Sequence, residues 1–201
     1  MNTQKLIALL SLIFVFGCTS KPTQAPPASE NSQVVELKDE FIITHSFDAN
    51  IKKVYKMWIK PEKFIKWMGP IGADMSFITA NVKVGGTSHW KMTTPDGLTK
   101  YGKINYKKMS PHNLLVYTQN FCDKEGKPAK LPIPVPYPDV LLTTVTLSPE
   151  GSKKTNMTVK WEIFGEATAE ERQTFRGMKP VMTTGWGQSF DKLEALLKSK
   201  K

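Results

Sequence analysis

The chain has 201 residues, of which 40% are hydrophobic and 23% are charged, and its formal net charge is +10. This length suits one globular domain with appendages, and ten Phe, five Trp and five Tyr exclude wholesale disorder. Among the 28 basic residues, only Arg172 and Arg176 are arginines. Nucleic-acid readers favour arginine, whose planar guanidinium pairs bidentately with guanine and phosphate. The composition therefore argues against a nucleic-acid partner.

Residues 1–17 are predicted to be a bacterial lipoprotein signal peptide. A run dominated by Leu, Ile, Val and Phe covers residues 6–16, with Ser11 as its one polar residue, and follows a basic residue. As a helix this run would rise about 16 Å, which is half of the hydrocarbon core of a bilayer. Such a length is typical of a signal peptide rather than of a membrane span. The segment from Val15 to Cys18 resembles the bacterial lipobox, although Phe16 is larger than the residue usually found there.

The lipobox resemblance implies that Cys18 becomes the first residue of the mature chain and carries acyl chains. Several chains anchor a protein stably, because each buried methylene contributes about 0.8 kcal/mol. Thr19 rather than Asp follows, which in enteric-type sorting implies the outer membrane; the alternative is the periplasmic face of the inner membrane. An ordinary secretory signal or an uncleaved anchor are the other interpretations of this segment.

The folded domain is predicted to occupy residues 34–201. Residues 18–33 have three prolines and no apolar period, so they are expected to form the lipidated cysteine and a solvated tether. Residues 37–47 alternate as a strand, and Asn50 and Pro61 then begin two short amphipathic helices. Further strands are predicted near 75–83, 86–94, 99–109, 113–122, 140–147 and 156–163.

Two helices are predicted to complete the domain. Thr168 and Glu171 form a capping box for a short helix, and Pro180 begins the longest helix of the chain. An antiparallel sheet must bury its apolar face, and one helix laid across a curved sheet does so. The order of elements therefore predicts an α+β fold with a curved antiparallel sheet of about six to seven strands wrapped on the C-terminal helix. A cavity is expected beneath that helix.

Several short motifs occur in a characteristic order along residues 35–197. They are Phe47-Asp48-Ala49, Val54-Tyr55, Trp58, Pro61-Glu62, Trp67-Met68-Gly69-Pro70, Val84-Gly85-Gly86, Pro95-Asp96-Gly97, Gly102, 120–123, 142–146, 167–175 and Gly185-Trp186. The set resembles the START-like (SRPBCC) superfamily, in particular homologues of the C-terminal domain of the activator of heat-shock protein 90 ATPase. This resemblance implies a helix-grip fold with a hydrophobic cavity. His45, Asn50 and Met68 stand where that family often has Arg, Pro and Trp.

Aromatic residues at inward-facing positions are the candidates for a binding site, with core packing as the alternative for most of them. The expected ligand-binding set is Trp58, Trp67, Trp90, Tyr117, Phe121, Trp161, Met182, Trp186 and Phe190. Trp186 stands out because Gly185 and Gly187 flank it in a helix, where each glycine costs about 1 kcal/mol relative to alanine. Close approach of the helix to the sheet, or room for a ligand, would offset that cost.

No catalytic or metal-binding constellation is evident in the sequence, and no cofactor is expected. The three histidines lack the spacing of a metal site, and the glycine-rich stretches lack the lysine of a phosphate loop. His45 and Tyr117 are the candidate acid or base of an alternative function, a small cyclase- or hydrolase-type enzyme on the same fold. Cys122 is expected to be inert, because acids beside it would raise its pKa.

Two further segments suggest contacts outside a cavity. Residues 126–139, here called the proline-rich segment, contain five prolines that nearly alternate with apolar residues. Such a segment is extended and stiff, and it could be a flap on the cavity, a docking edge for a protein partner or a plain loop. The lysine face comprises Lys52, Lys53, Lys56, Lys60, Lys63 and Lys66. It is a solvated surface or, on a lipid-tethered protein, a surface for anionic lipid.

Together these features predict a lipid-anchored protein of the cell envelope that binds a small apolar ligand. The enzyme described above is one alternative. A protein-interaction module that uses the proline-rich segment is the other.

Overall fold

The computed structural model of the protein describes residues 38–199. The predicted signal peptide, Cys18 and the tether lie outside these residues. Within the described range the chain forms seven strands and four helices. The strands are β1 (Glu40–Phe47), β2 (Asp74–Thr79), β3 (Thr87–Thr93), β4 (Thr99–Ser110), β5 (Leu114–Cys122), β6 (Val140–Glu150) and β7 (Lys154–Ile163). The helices are α1 (Ile51–Ile59), α2 (Pro61–Phe64), α3 (Ala169–Gly177) and α4 (Lys179–Lys198).

All seven strands belong to one antiparallel sheet of order β1-β7-β6-β5-β4-β3-β2. Strands β2 to β7 follow one another as neighbours, whereas β1 pairs with β7, so that Glu40 lies opposite Glu162 and Phe47 opposite Thr155. A register shift between Tyr106 and Lys108 interrupts the pairing of β4 with β5. Such bulges increase the local bend and twist of a sheet. The predicted α+β helix-grip fold is confirmed.

The helix starts follow the signals in the sequence. The Asn50 side chain accepts a 2.8 Å hydrogen bond from the backbone N–H of Lys52 at the start of α1. At the start of α3, the backbone N–H of Glu171 donates to the Thr168 hydroxyl, and the Glu171 carboxylate accepts from the Thr168 backbone N–H. These bonds satisfy N–H groups that have no partner within a helix. Both predicted caps are confirmed.

β1 and β2 are each three residues shorter than predicted. β1 begins at residue 40 rather than 37, and just before it the carboxylate of Asp39 accepts 2.7 Å bonds from Arg172 and Arg176 of α3. β2 ends at Thr79 rather than 83, because its register against β3 shifts between Phe77 and Thr79. Neither difference changes the order of the elements.

The core lies between the sheet and the helices. Phe47 of β1, Val54 of α1, Met157 and Val159 of β7 and Leu193 of α4 are all completely buried. Each such side chain contributes about 1.5–3 kcal/mol relative to an exposed position. No helix within residues 38–199 combines the length and hydropathy needed to cross a membrane.

Candidate functional site

A cavity of about 270 Å³ lies between the sheet and α4. Alternation along the strands brings Trp90 of β3, Ile104 of β4, Tyr117 of β5 and Trp161 of β7 to its wall. The helix closes the other side with Met182, Gly185 and Trp186. The wall is therefore mainly apolar and aromatic, as in many small-molecule sites.

Six of the nine residues predicted to bind a ligand lie in the cavity wall. They are Trp90, Tyr117, Phe121, Trp161, Met182 and Trp186. Within this set, the rings of Trp161 and Trp186 meet edge to face with centroids 5.6 Å apart. Their two indole N–H groups are buried and find no hydrogen-bond partner among the described residues. The sheet and the helix thus present a joint aromatic surface to the cavity.

Trp58 and Trp67 do not line the cavity, which corrects the prediction for both. The indole N–H of Trp67 donates a 3.0 Å bond to the Met57 carbonyl, and the residue is completely buried. The indole N–H of Trp58 points to the sulfur of Met157 at 3.1 Å. Both rings are therefore held within the core beside α1 by their own polar contacts. Sequence parity identified them as buried but did not distinguish the core from the cavity wall.

Phe190 and His45 also lie away from the cavity, next to each other. The Phe190 ring is 5.8 Å from the ring of Phe47 and 5.4 Å from that of His45, centroid to centroid. The Nε2 atom of His45 lies 3.6 Å from a carboxylate oxygen of Glu194 on α4. The pKa of Glu194 is lowered, first by the hydrogen bond from Lys198. His45 therefore belongs to a partly exposed pair at the junction of β1 and α4, and the prediction that Phe190 lines the site is corrected.

Tyr117 reaches the cavity wall from β5. Its side chain is 3% exposed, and burial raises the pKa of its phenol well above the usual value. Burial disfavours the phenolate because a charged oxygen loses its hydration there. The Tyr117 hydroxyl consequently stays protonated at neutral pH.

The proline-rich segment covers part of the cavity. Leu131, Tyr137 and Pro138 belong to the wall, and the Tyr137 ring lies 6.3 Å from that of Phe175 on α3. Burial raises the pKa of Tyr137 as well. The segment is thus packed against α3, with Leu131, Tyr137 and Pro138 in the cavity wall and Val135 exposed.

Lys130 forms two ion pairs that hold the proline-rich segment in place. The ammonium of Lys130 lies 2.6 Å from the carboxylate of Asp139 and 3.2 Å from that of Glu171 on α3. The hydrogen bonds to Asp139 and then to Glu171 raise the pKa of Lys130. The two ion pairs tie the segment to itself and to α3.

Gly185 and Gly187 are not required by close packing of α4. A Cβ atom added at either position would have no neighbour within 4 Å outside the helix. Gly185 belongs to the cavity wall. Close approach of α4 to the sheet therefore explains neither glycine. For Gly185, which lines the cavity, room for a ligand is the explanation that still applies.

Polar groups in the wall were missed by sequence reasoning. They are Lys100, Gln119, Asn120, Asp139 and Ser189. Lys100 lies directly opposite Met92, on the same face of β4 as Ile104. The alternation of β4 could have identified Lys100, because Ile104 and the residues two and four positions before it share one face.

Two other residues, His89 and Cys122, are buried on the opposite face of the sheet. His89 points away from Trp90, as predicted from the strand period, and is 7% exposed. Burial is the largest cause that raises the pKa of Cys122; Lys103 opposes it and Asp123 adds to it. The direction agrees with the prediction, but desolvation rather than nearby acids dominates. Within residues 38–199 no group of three His, Cys, Asp or Glu side chains could hold a metal ion.

The lysine face lies where helix ends meet. Lys53, Lys56, Lys63, Lys66 and Lys198 line a surface groove. The Lys53 ammonium donates a hydrogen bond to the Leu197 carbonyl in the last turn of α4. Helix C-termini carry partial negative charge that attracts cations. Part of this clustering is therefore explained by the helices themselves.

Comparison with known proteins places the fold in a family. The family model for activator of Hsp90 ATPase homolog 1-like proteins matches residues 48–198. A solution structure from Arthrobacter aurescens is 26% identical, with a TM-score of 0.65 over 79% of this chain and 86% of that one. A crystal structure from Mycobacterium smegmatis is 20% identical, with a TM-score of 0.66 over 82% of this chain and 93% of that one.

An AHSA1 protein from Silicibacter pomeroyi shares the fold at 14% identity, with a TM-score of 0.59 over 79% of this chain and 96% of that one. No match is found among curated proteins. Since the family model covers most of the chain and the seven-stranded sheet with its C-terminal helix agrees, the chain belongs to the family of activator of Hsp90 ATPase homolog 1-like proteins.

Proposed function

We propose that this chain is a lipid-anchored protein of the cell envelope that binds a small hydrophobic ligand between its sheet and α4. The observation that carries the proposal is the apolar cavity of about 270 Å³. This volume lies near the lower end of the range of small-molecule sites, about 300–1,000 Å³, so the cavity suits a small ligand. A longer ligand would extend beyond the enclosed volume.

The cavity is a departure from ordinary packing, and this supports a binding role. Protein interiors are normally packed as densely as organic crystals, and voids that would hold a ligand are few. Here three tryptophans, Trp90, Trp161 and Trp186, border empty space rather than filling it. An apolar ligand would remove both its own surface and theirs from water.

Binding is favoured over catalysis by the position of the candidate acid and base. His45 pairs with Glu194 and does not line the cavity. Tyr117 does line it, but its raised pKa keeps the phenol protonated and unsuited to act as a base near neutral pH. These two residues therefore do not supply the ordered polar groups that acid–base catalysis needs around a substrate.

The proline-rich segment is better suited to covering a ligand than to docking a protein. Four of its residues lie in the cavity wall and would contact a bound ligand: Leu131, Tyr137, Pro138 and Asp139. The bonds of Lys130 to Asp139 and Glu171 hold the segment in this position. We infer that it acts as a flap.

The lipid anchor rests on the N-terminal sequence. The apolar run 6–16 and the lipobox-like segment ending at Cys18 support acylation of Cys18. A flexible tether of some twenty residues has a root-mean-square reach of about 25 Å. The folded domain would then stay close to the outer membrane, or to the periplasmic face of the inner membrane.

Proximity to a membrane gives the lysine face a second role. Five of its six lysines, all but Lys63, are exposed. Near an anionic lipid surface each lysine contributes up to about 1 kcal/mol of attraction. We propose that this face turns toward anionic lipid when the domain is tethered.

Binding is tested with 1-octanol, a neutral apolar ligand of suitable size. The five indole N–H resonances of the chain serve as reporters. Octanol should shift the resonances of Trp161 and Trp186 in a saturable manner, while Trp67, whose indole N–H is bonded to Met57, should move least. Equal and unsaturable shifts of all five resonances, or none, would reject the cavity as the site.

Anchoring is tested with Cys18→Ser. The variant should move from the membrane to the soluble fraction and lose labelling by an alkyne fatty acid. Cys122→Ser is the matched control and should keep the label, since Cys122 is buried in the domain. Labelling that persists in the Cys18 variant would show the lipobox interpretation to be wrong.

A further inference from the structure

A single basic side chain faces the cavity from the sheet. Lys100 lies on β4 directly opposite Met92 and is part of the cavity wall. It is half-buried, and within residues 38–199 its ammonium has no ion pair or side-chain hydrogen bond. An ammonium in partly apolar surroundings loses hydration that nothing in the protein replaces. An anion at this point would supply the missing partner.

The acids near Lys100 are engaged elsewhere. Asp139 is the acidic residue of the wall, and its carboxylate is bound by Lys130 at 2.6 Å. Asp96 lies in the turn between β3 and β4 and accepts a 2.5 Å bond from the Thr94 hydroxyl. The pKa of Asp96 is lowered first by that bond and also by the nearby charge of Lys100, yet within residues 38–199 the two side chains form no ion pair. The Lys100 ammonium can therefore still pair with a ligand.

The other polar groups of the cavity wall have hydrogen-bond partners in the protein or lie away from Lys100. The Ser189 hydroxyl donates within α4 to the Gly185 carbonyl at 2.9 Å, and the Asn120 amide donates to the Phe121 carbonyl at 2.9 Å. Both groups are thus at least partly satisfied by the protein. Gln119 stands opposite Ile104, away from Lys100 along the strand.

The charged and apolar parts of the cavity wall are separated along β4. Lys100 and Ile104 both line the cavity and are four strand residues apart, which corresponds to about 13 Å. Tyr117 pairs with Tyr106, which lies further along β4 from Lys100 than Ile104 does. Trp161 lies in the same row of the sheet as Tyr117, across Thr143. The wall is therefore amphipathic along its length, with one cationic end.

We propose that the cavity selects an apolar ligand with one terminal anionic group, such as a medium-chain carboxylate, whose charge pairs with Lys100. This inference rests on the proposed function, because it assigns the chemical class of the ligand of the same cavity. The apolar chain of the ligand lies against Trp161 and Trp186, and its carboxylate accepts hydrogen bonds from the Lys100 ammonium. Charge-assisted bonds of this type are stronger than neutral ones.

The experiment compares octanoate, 1-octanol and octylammonium, which share one chain length and differ in charge. Binding to the full chain carrying Cys18→Ser is measured from the indole resonances of Trp161 and Trp186. Lys100→Met removes the charge and keeps the length of the side chain, whereas Lys100→Arg keeps the charge. Lys91→Met is the matched control, because Lys91 lies on the adjacent strand β3 but one position out of phase, on the opposite face of the sheet.

We expect Lys100→Met to weaken octanoate binding about tenfold and to change octanol binding less than twofold. Lys100→Arg should restore octanoate binding, and Lys91→Met should leave it within twofold. An equal change for octanoate and octanol, or an equal effect of Lys91→Met, would overturn the inference.

The wild-type comparison does not depend on any lysine variant being stable. Octanoate should bind at least tenfold more tightly than octylammonium, and the reverse order would overturn the inference. If octanol binds and octanoate shows no preference, the charge selection fails while the proposed apolar binding stands. If none of the three ligands binds, the proposed function fails.

Discussion

The indole of Trp90 lies against Gly102, its direct partner across β3 and β4, and occupies the space that a side chain at Gly102 would need. The Asn120 carbonyl of β5 crowds the same space, at 2.9 Å from the position of a Cβ atom. Trp90 also meets the Phe121 ring edge to face, with centroids 6.1 Å apart. The absence of a side chain at Gly102 thus allows a large aromatic ring to lie flat in the cavity wall.

Gly102→Ala is therefore expected to destabilise the protein and to disturb the site. Added atoms in a packed interior typically cost about 1–3 kcal/mol. Urea unfolding should show a loss in this range, and the indole resonance of Trp90 should shift without ligand. An unchanged free energy of unfolding together with an unchanged Trp90 resonance would contradict this relationship.

Gly185→Ala and Gly187→Ala form a matched pair on α4. Each should stabilise the protein by about 0.5–1 kcal/mol, because alanine is the better helix former and a Cβ atom meets no neighbour at either site. Gly185 lines the cavity and Gly187 does not. Octanol titration should therefore show weaker binding for Gly185→Ala only. Equal affinities in the two variants would remove Gly185 from the site.

Acid is expected to weaken the attachment of α3. Hydrogen bonds from the Thr168 backbone and from Lys130 lower the pKa of Glu171 below its ordinary 4.5. A carboxyl with a lowered pKa in the folded state stabilises that state above the unfolded pKa and loses the effect as the pH falls through the folded value. The contribution of Glu171 should thus be full at neutral pH and be lost as the pH falls from 4.5 through its lowered folded pKa.

Glu171→Gln isolates this contribution, since glutamine retains the capping geometry without the charge. The difference in unfolding free energy between the wild type and this variant should be largest near neutral pH and should shrink as the pH falls below 4.5. The exposed Lys124–Glu125 pair provides a control in Glu125→Gln, for which little difference is expected at any pH. A wild-type advantage that grows in acid would refute the assignment.

His45→Ala and Tyr117→Phe test the alternative of an enzyme. His45 lies outside the cavity, and Tyr117 contributes mainly its ring to the wall, so both variants should bind octanol within about tenfold of the wild type, or about 1.4 kcal/mol. Isothermal titration calorimetry measures the affinities. A larger loss in His45→Ala, with stability unchanged, would bring His45 into the site and favour the enzyme.

Alternation and capping made much of the fold predictable. Met157, Val159 and Trp161 follow the period of a strand with one buried face, and that face is the one that meets α4 and the cavity. Asn50 and Thr168 mark the starts of helices, because their side chains accept hydrogen bonds from backbone N–H groups two or three residues later. Local rules of this kind need no knowledge of the rest of the chain.

The site was less predictable, because parity gives the direction of a side chain but not the depth at which it packs. Trp67 and Trp186 are both inward-facing, yet only Trp186 borders the cavity, while Trp67 is fixed by the carbonyl of Met57. Lys100 was missed because a lysine is normally assigned to a wet surface, although its strand position points it inward.

The order of the strands has a consequence for how the protein folds. Strands β2 to β7 can pair one after another, and all their connections except that between β5 and β6 are short, so each closes at a small cost in chain entropy. β1 finds its only partner, β7, more than a hundred residues away, and α4 follows later still in the chain. Folding should therefore begin with the pairing of β2 to β7 and end when β1 and α4 pack onto them. This last step joins distant parts of the chain, so it is expected to be slow. Until α4 docks, the aromatic face of the sheet is open to water, and a ligand present at that moment would be enclosed as the helix closes over it.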